Sequence, residues 1–293
     1  MPVFPAFVVS DKENTMITDD SASVTLPLFQ IDAFTQERFH GNPAAVCPLS
    51  EWLDDDVMQN IAAENNLAET AFLVPKTDTS TSDYELRWFT PKVEVNLCGH
   101  ATLASAYWYF TYMDTEARQV RFTTRGGVLT ATRQGERIAL SMPATETVEY
   151  DTADELVEAI GLKDSPTTVQ ASYHAGEDLM LLLDSEESVR NCQPDFSLLA
   201  EFPARGIIIT AKGEQADFVC RFFAPACGIN EDPVTGSAFC ALMPYWSQIL
   251  NAPVLHGQQI SSRGGDVYCF WPGKNRVMLS GHCVEYLSGQ IRV

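Results

Sequence analysis

The chain has 293 residues, enough for one large or two medium domains that each bury a core, and its composition, 45% hydrophobic and 20% charged, is ordinary for a soluble globular protein. Acidic residues outnumber basic ones 39 to 19, giving a formal charge of -20 that repels phosphate backbones and anionic bilayers and argues against nucleic-acid or membrane partners. No apolar run approaches the roughly 20 residues of a membrane helix, and the eight cysteines include no C-x-x-C pair, which argues against a zinc knuckle and fits reduced thiols in a cytoplasmic protein.

Residues 1 to about 25 read as an N-terminal extension. Their apolar patch, Val3 to Val9, has no basic residue before it and a polar, acidic stretch after it, unlike a secretory or transit signal. A helix is predicted over residues 54–65, where Leu53, Val57 and Ile61 recur every four residues and Asp54, Asp55 and Asp56 suit a cap and the helix dipole. A strand over 70–74 follows. Tyr84, Leu86 and Trp88 alternate as in a second strand, which ends at Pro91. A glycine-containing loop then enters a helix over 101–112 that is apolar on nearly all sides, as a buried helix is. Arg125-Gly126-Gly127 starts a hairpin. The proline-, threonine- and acid-containing stretch 143–154 is the expected boundary between two lobes.

Beyond it the chain repeats itself. Asp83-Tyr-Glu-Leu-Arg87-Trp-Phe89-Thr-Pro91 lines up with Asp217-Phe-Val-Cys-Arg221-Phe-Phe223-Ala-Pro225 at an offset of 134 residues. Glu94, Gly99 and Ala101 match Glu231, Gly236 and Ala238; Arg125-Gly-Gly matches Arg263-Gly-Gly; Arg137-Ile-Ala-Leu-Ser141 matches Arg276-Val-Met-Leu-Ser280. Four segments in constant order predict a second buried helix over 238–250 and an α+β fold of two pseudo-symmetric lobes. Each lobe is expected to be a curved, mostly antiparallel sheet around one central helix. The first should span 26–145 and the second 146–293, the last strand being a candidate to cross back.

Gly99-His100 and Gly236-Ser237 take equivalent places at the N-termini of the two buried helices, where free N–H groups suit an anion such as a carboxylate, unless the glycines serve only tight helix entry. His100 can exchange a proton near neutrality; the other four histidines have no metal-like spacing. Among the acids, Glu94 and Glu231 are repeat-matched and read as loop supports, whereas Glu69 and Asp232 are not matched. Glu69-Thr-Ala-Phe-Leu-Val-Pro-Lys aligns with Arg205-Gly-Ile-Ile-Ile-Thr-Ala-Lys, so one lobe offers an acid where the other offers arginine. That asymmetry, beside apolar strand residues, makes Glu69 the candidate proton-transfer group.

Asp32-Ala-Phe-Thr, Gly41-Asn42-Pro43, Asn65-Asn-Leu-Ala-Glu69-Thr, Arg87-Trp-Phe-Thr-Pro91, Leu97-Cys-Gly-His-Ala-Thr and Glu231-Asp-Pro-Val-Thr-Gly-Ser-Ala238 resemble the signature of the PhzF-like phenazine biosynthesis isomerases over about residues 28–293. The resemblance implies the diaminopimelate epimerase-like fold, a homodimer, and isomerisation of trans-2,3-dihydro-3-hydroxyanthranilate or a similar small carboxylated metabolite without metal, nucleotide or flavin. It implies Glu69 as general acid/base, with His100 and Asp232 orienting the amino and hydroxyl groups. Ser237, with the Gly99 and Gly236 amides, would bind the carboxylate, and Asn42 would shape the cleft. Cys98 stands where related epimerases keep one of two catalytic thiols. The partner is expected near Pro233 to Thr235, where this chain has no cysteine, which argues against a two-thiol racemase and leaves Cys98 as a packing residue or cleft liner. Two other readings are a non-catalytic binding member, which would tolerate Glu69→Gln, and a retaining glycosidase using Glu69 and Asp232, which lacks an aromatic-rich sugar groove.

Overall fold

The computed structural model describes residues 24–151, 154–162 and 169–293. The expected extension up to residue 23, and residues 152–153 of the expected boundary, lie outside them.

The first half contains β1 (Thr25–Ala33), β2 (Asn42–Pro48), α1 (Asp55–Asn65), β3 (Glu69–Pro75), β4 (Tyr84–Phe89), the short β5 (Glu94–Val95), α2 (Gly99–Trp108), β6 (Gln119–Thr124), β7 (Gly127–Gln134) and β8 (Arg137–Pro143). The second contains β9 (Thr147–Glu149), α3 (Asp154–Ala159), β10 (Ala171–Ala175), β11 (Asp178–Leu182), α4 (Glu186–Asn191), α5 (Phe196–Leu199), β12 (Ile207–Lys212), β13 (Phe218–Phe223), α6 (Gly236–Leu250), β14 (Val254–Gln259), β15 (Gly265–Phe270), β16 (Arg276–Gly281) and β17 (Cys283–Arg292).

The two halves pair their strands in the same way. β1–β2 and β10–β11 are antiparallel, β2–β3 and β11–β12 parallel, β3–β4 and β12–β13 antiparallel, β4–β6 and β13–β14 parallel. Antiparallel hairpins then lead to β8 and β16. β8 and β16 pair with each other, and Leu140, the repeat match of Leu279, lies directly opposite it. A pair of matched residues facing each other marks a pseudo-two-fold axis. The strand that follows β8 and the one that follows β16 are exchanged across this axis: the three-residue β9 pairs with β10 of the second lobe, and the ten-residue β17 returns to pair with β1 of the first.

α2 and α6 are buried on nearly every side, as their all-round apolar sequences demand. α2 packs on β1, β2, β3 and β8, and α6 on β14, β15 and β16, within one apolar core that spans both lobes. Smaller cores lie outside the sheet, one under α1 and one under α3–α5. No helix among the described residues is long and apolar enough to cross a membrane.

Three local features differ from expectation. α2 ends at Trp108 rather than 112, and Tyr109–Met113 forms a π-turn. The wider turn loosens the carbonyl ladder, and the Arg133 guanidinium, 4.9 Å from the Phe110 ring, donates to the Phe110 carbonyl at 2.8 Å. Asp54 is the N-cap of α1, but its side chain caps nothing; its carbonyl accepts from Val57 and Met58. Pro244 lies inside α6 and has no N–H to give to the Cys240 carbonyl. Thr145, in the segment joining the lobes, donates to that carbonyl instead at 2.9 Å.

Candidate active site

Six of the expected site residues sit at the first or second position of an element: Asn42 on β2, Glu69 on β3, Gly99 and His100 on α2, and Gly236 and Ser237 on α6. The two helices meet end to end. A Cβ built on Gly99 would lie 3.4 Å from the Gly236 Cα, and one built on Gly236 would lie 3.3 Å from the Gly99 Cα. A larger residue at either place would wedge the helix ends apart. The N-cap residues, Cys98 and Thr235, make no side-chain cap bond, and neither helix has an acid in its first turn. Two positive dipole ends therefore point at one place with none of the usual internal anions to offset them.

On one side of this junction, Glu69 Oε2 lies 3.0 Å from His100 Nε2. Both atoms are buried and have no partner but each other. The other ring nitrogen, Nδ1, is 3.6 Å from Cys98 Sγ. Asn42 Nδ2 donates to Asp232 Oδ1 at 2.8 Å and to the Val234 carbonyl at 2.9 Å, which ties the first lobe to the second. Both its protons are thus used, so its 3.3 Å approach to His100 Nδ1 supplies no proton to the ring.

On the other side, Arg205 donates from Nη2 to Ser237 Oγ at 3.0 Å and grips the buried Asp178 through Nε and Nη2 at 2.9 and 2.5 Å. Glu69 with His100 is thus answered by Arg205 with Ser237. The match slips by one residue, however. Thr70 pairs with Phe89 and Ile207 with Phe223, which equates Glu69 with Gly206 and leaves Arg205 one place earlier. The matched acids Glu94 and Glu231 each take two hydrogen bonds, at 2.7 to 3.0 Å, from the matched Arg87 and Arg221.

The structure therefore gathers Asn42, Glu69, His100 and Asp232 into one cluster and brings Gly99 against Gly236, while Ser237 engages Arg205. Sequence reasoning passed over Gln259. Fully buried, it accepts from the Thr235 N–H at 2.8 Å and donates to the Asp232 carbonyl at 2.6 Å, fixing the loop that carries Asp232. It also left Arg205 out of the site and did not single out Asp178; the arginine-for-acid asymmetry was the one available signal.

Enclosure sets the electrostatics. Burial pushes the Asp232 carboxyl up to about 6, assisted by the charge of Glu69 and opposed by His100 and by hydrogen bonds from Thr235 and Asn42. Burial also pushes the Cys98 thiol up to about 11. It works to lower His100 as well, but the Cys98 sulfur and the Glu69 carboxylate outweigh it and hold the imidazole above its ordinary range. A carboxyl at about 6 when folded and about 4 when unfolded lends stability below pH 4 that is lost as pH rises through 6. Asp232→Asn, which cannot ionise, should therefore gain about 2 kcal/mol relative to wild type between pH 4 and pH 7. Urea unfolding at the two pH values reads this, and a constant difference would refute it.

Residues 31–289 match the phenazine biosynthesis-like protein family. The chain belongs to that family. An uncharacterized isomerase of Pseudomonas aeruginosa is 49% identical over 92% of this chain and 99% of its own. The crystal structure of a phenazine biosynthesis protein of the PhzF family from Enterococcus faecalis superposes with a TM-score of 0.86 at 41% identity, covering 92% of this chain and all of that one. A hydroxyproline epimerase from Agrobacterium vitis shares the fold alone, with a TM-score of 0.60 at 11% identity and 92% and 93% coverage. The phenazine biosynthesis-like family and its epimerase-type two-lobed fold thus extend over nearly the whole chain.

Proposed function

We propose that the chain is an isomerase that moves a proton between two carbons of a small carboxylated metabolite, with Glu69 as the general acid/base. The buried 3.0 Å pair of Glu69 Oε2 and His100 Nε2, with no other partner and beside the meeting helix ends, carries this reading. The Glu69 carboxylate takes the proton as a C–H bond breaks, the double bond shifts, and the same proton is returned to a second carbon, so nothing is gained or lost. Negative charge spreads into the conjugated carboxylate during transfer. The Gly99 and Gly236 ends of α2 and α6, with Ser237, are placed to hold it. Arg205 spends its proton on a lone pair of Ser237, which leaves the hydroxyl proton free to point at a ligand. His100 and Asp232 would orient the substrate's amino and hydroxyl groups, with Asn42 bracing Asp232.

A two-thiol racemase has less support. Thr235 holds the place in the second lobe that Cys98 holds in the first, and its hydroxyl is donated to Asp232 Oδ2 at 2.5 Å. Incubation with trans-2,3-dihydro-3-hydroxyanthranilate in D2O, followed by NMR of the ring protons, tests the isomerase reading. Rearrangement supports it, and an unchanged spectrum rejects this substrate. Ser237→Ala should raise KM about tenfold, the worth of one hydrogen bond to a charged group. An unchanged KM would remove Ser237 from carboxylate binding.

A further inference from the structure

Pseudo-symmetry gives Asn42, Glu69 and His100 counterparts in the second lobe. Ala33 pairs with Asn42 and Ala175 with Asp178, so Asp178 takes the place of Asn42. Ser237 follows Gly236 as His100 follows Gly99, and Arg205 stands one place before the match of Glu69. These three side chains bond to one another. Arg205 Nε donates to Asp178 Oδ1, and Nη2 to both Asp178 Oδ2 and Ser237 Oγ, which uses three of the five N–H groups of a guanidinium. The two on Nη1 have no partner among the described residues, yet solvent reaches them. The Asp178 side chain is only 5% exposed and that of Arg205 36%, so the paired edge is closed and the other end open. Phe222 floors the fork, its ring centre 5.3 Å from Arg205 Cζ. Glycine at 206 makes room for that ring, since a Cβ there would lie 2.3 Å from Phe222 Cζ. A guanidinium held on three sides with one end free is preorganised for a ligand.

We propose that Arg205 is a specificity-determining residue, with Asp178 as its positioning residue. Nη1 and the Ser237 hydroxyl grip the two oxygens of one carboxylate and select it over the matching amide. The Ser237 oxygen is taken by Nη2, so its proton and those of Nη1 stand side by side without an acceptor. A carboxylate presents only lone pairs to such donors, whereas a carboxamide turns its own N–H groups towards one of them and leaves it unpaired. Asp178 balances the charge of Arg205, so the preference comes from the direction of the hydrogen bonds. That the carboxylate belongs to a substrate rests on the isomerase reading above; recognition of the group itself does not.

Anthranilate and 2-aminobenzamide, which differ only in that group, are the probes, titrated calorimetrically into the full chain. The wild type should bind anthranilate at least about tenfold more tightly, the worth of one charge-assisted hydrogen bond. Asp178→Asn with Arg205→Gln replaces the ion pair by two amides, so no buried carboxylate is left unpaired. This double variant should bind the two probes about equally. Asp178→Asn alone keeps the guanidinium but loosens its fork, and should weaken anthranilate while sparing the amide; a merely structural role would weaken both alike. Should the double variant not fold, Arg205→Lys carries the same test, since an ammonium lacks the planar fork. Equal affinity of the wild type for both probes, no saturable binding of either, or a preference unchanged in the variants would overturn the assignment. A preference lost in the variants, in a protein that turns over no substrate, would remove the isomerase and leave this recognition site standing.

Discussion

Glu69→Gln should lose about 10²- to 10⁴-fold in turnover, the usual contribution of a positioned acid/base. The substitution keeps the shape of the side chain at the start of β3 and removes only its ability to carry a proton. Fold and stability should therefore change little, and ligand binding should persist, so that the loss falls on kcat rather than KM. In D2O the wild type should scramble or transfer the ring proton while the variant leaves it in place. Glu69→Asp should recover part of the activity, because it restores the carboxylate about one methylene short. Equal rates for wild type and Glu69→Gln would sink the mechanism and favour a binding-only role.

The second large effect is on stability and falls at Gly41. This residue sits at φ +65°, and a Cβ there would lie 2.2 Å from the Ala33 carbonyl oxygen and 2.7 Å from Thr35 Cγ2. The first obstacle is backbone and cannot swing away. The conformation alone costs a residue with a side chain about 1–2 kcal/mol, and the clash adds to it. Gly41→Ala should therefore lose about 3 kcal/mol or more in urea unfolding. The damage should reach the site, because Gly41 N–H donates to the Gly264 carbonyl, its carbonyl accepts from Arg263 Nε, and Asn42 follows directly. A loss below about 1 kcal/mol would show that the loop relaxes freely.

The lobes and their central helices were legible because each half must solve the same burial problem, and the same residue types recur to solve it. Tyr84, Leu86 and Trp88 alternate as a half-buried strand must, and the strand is there. Glu94 and Glu231 were recognisable as supports because matched acids face matched arginines. What escaped depends on contacts between distant segments. The one-residue slip between Glu69 and Arg205 is set by strand register against Phe89 and Phe223, which string matching cannot see. The π-turn after Trp108 needs Arg133, two strands away in the chain, and the tolerance of Pro244 needs Thr145 from the other half.

The exchange of β9 and β17 carries a consequence for assembly. Each repeat gives away its final strand and receives the other's, so neither repeat alone possesses all the strands that close its sheet. A lone repeat could satisfy its open edge only by borrowing the strand from a second copy, which would lend its own in return. The present chain thus holds in one polypeptide the geometry of a strand-swapped pair, with a carboxylate at the start of β3 in one half and an arginine just before β12 in the other. Splitting the chain after Asp151, so that β9 stays with the first fragment and β17 with the second, and co-expressing the two should regenerate one soluble particle, while either fragment alone should remain open-edged and prone to aggregate.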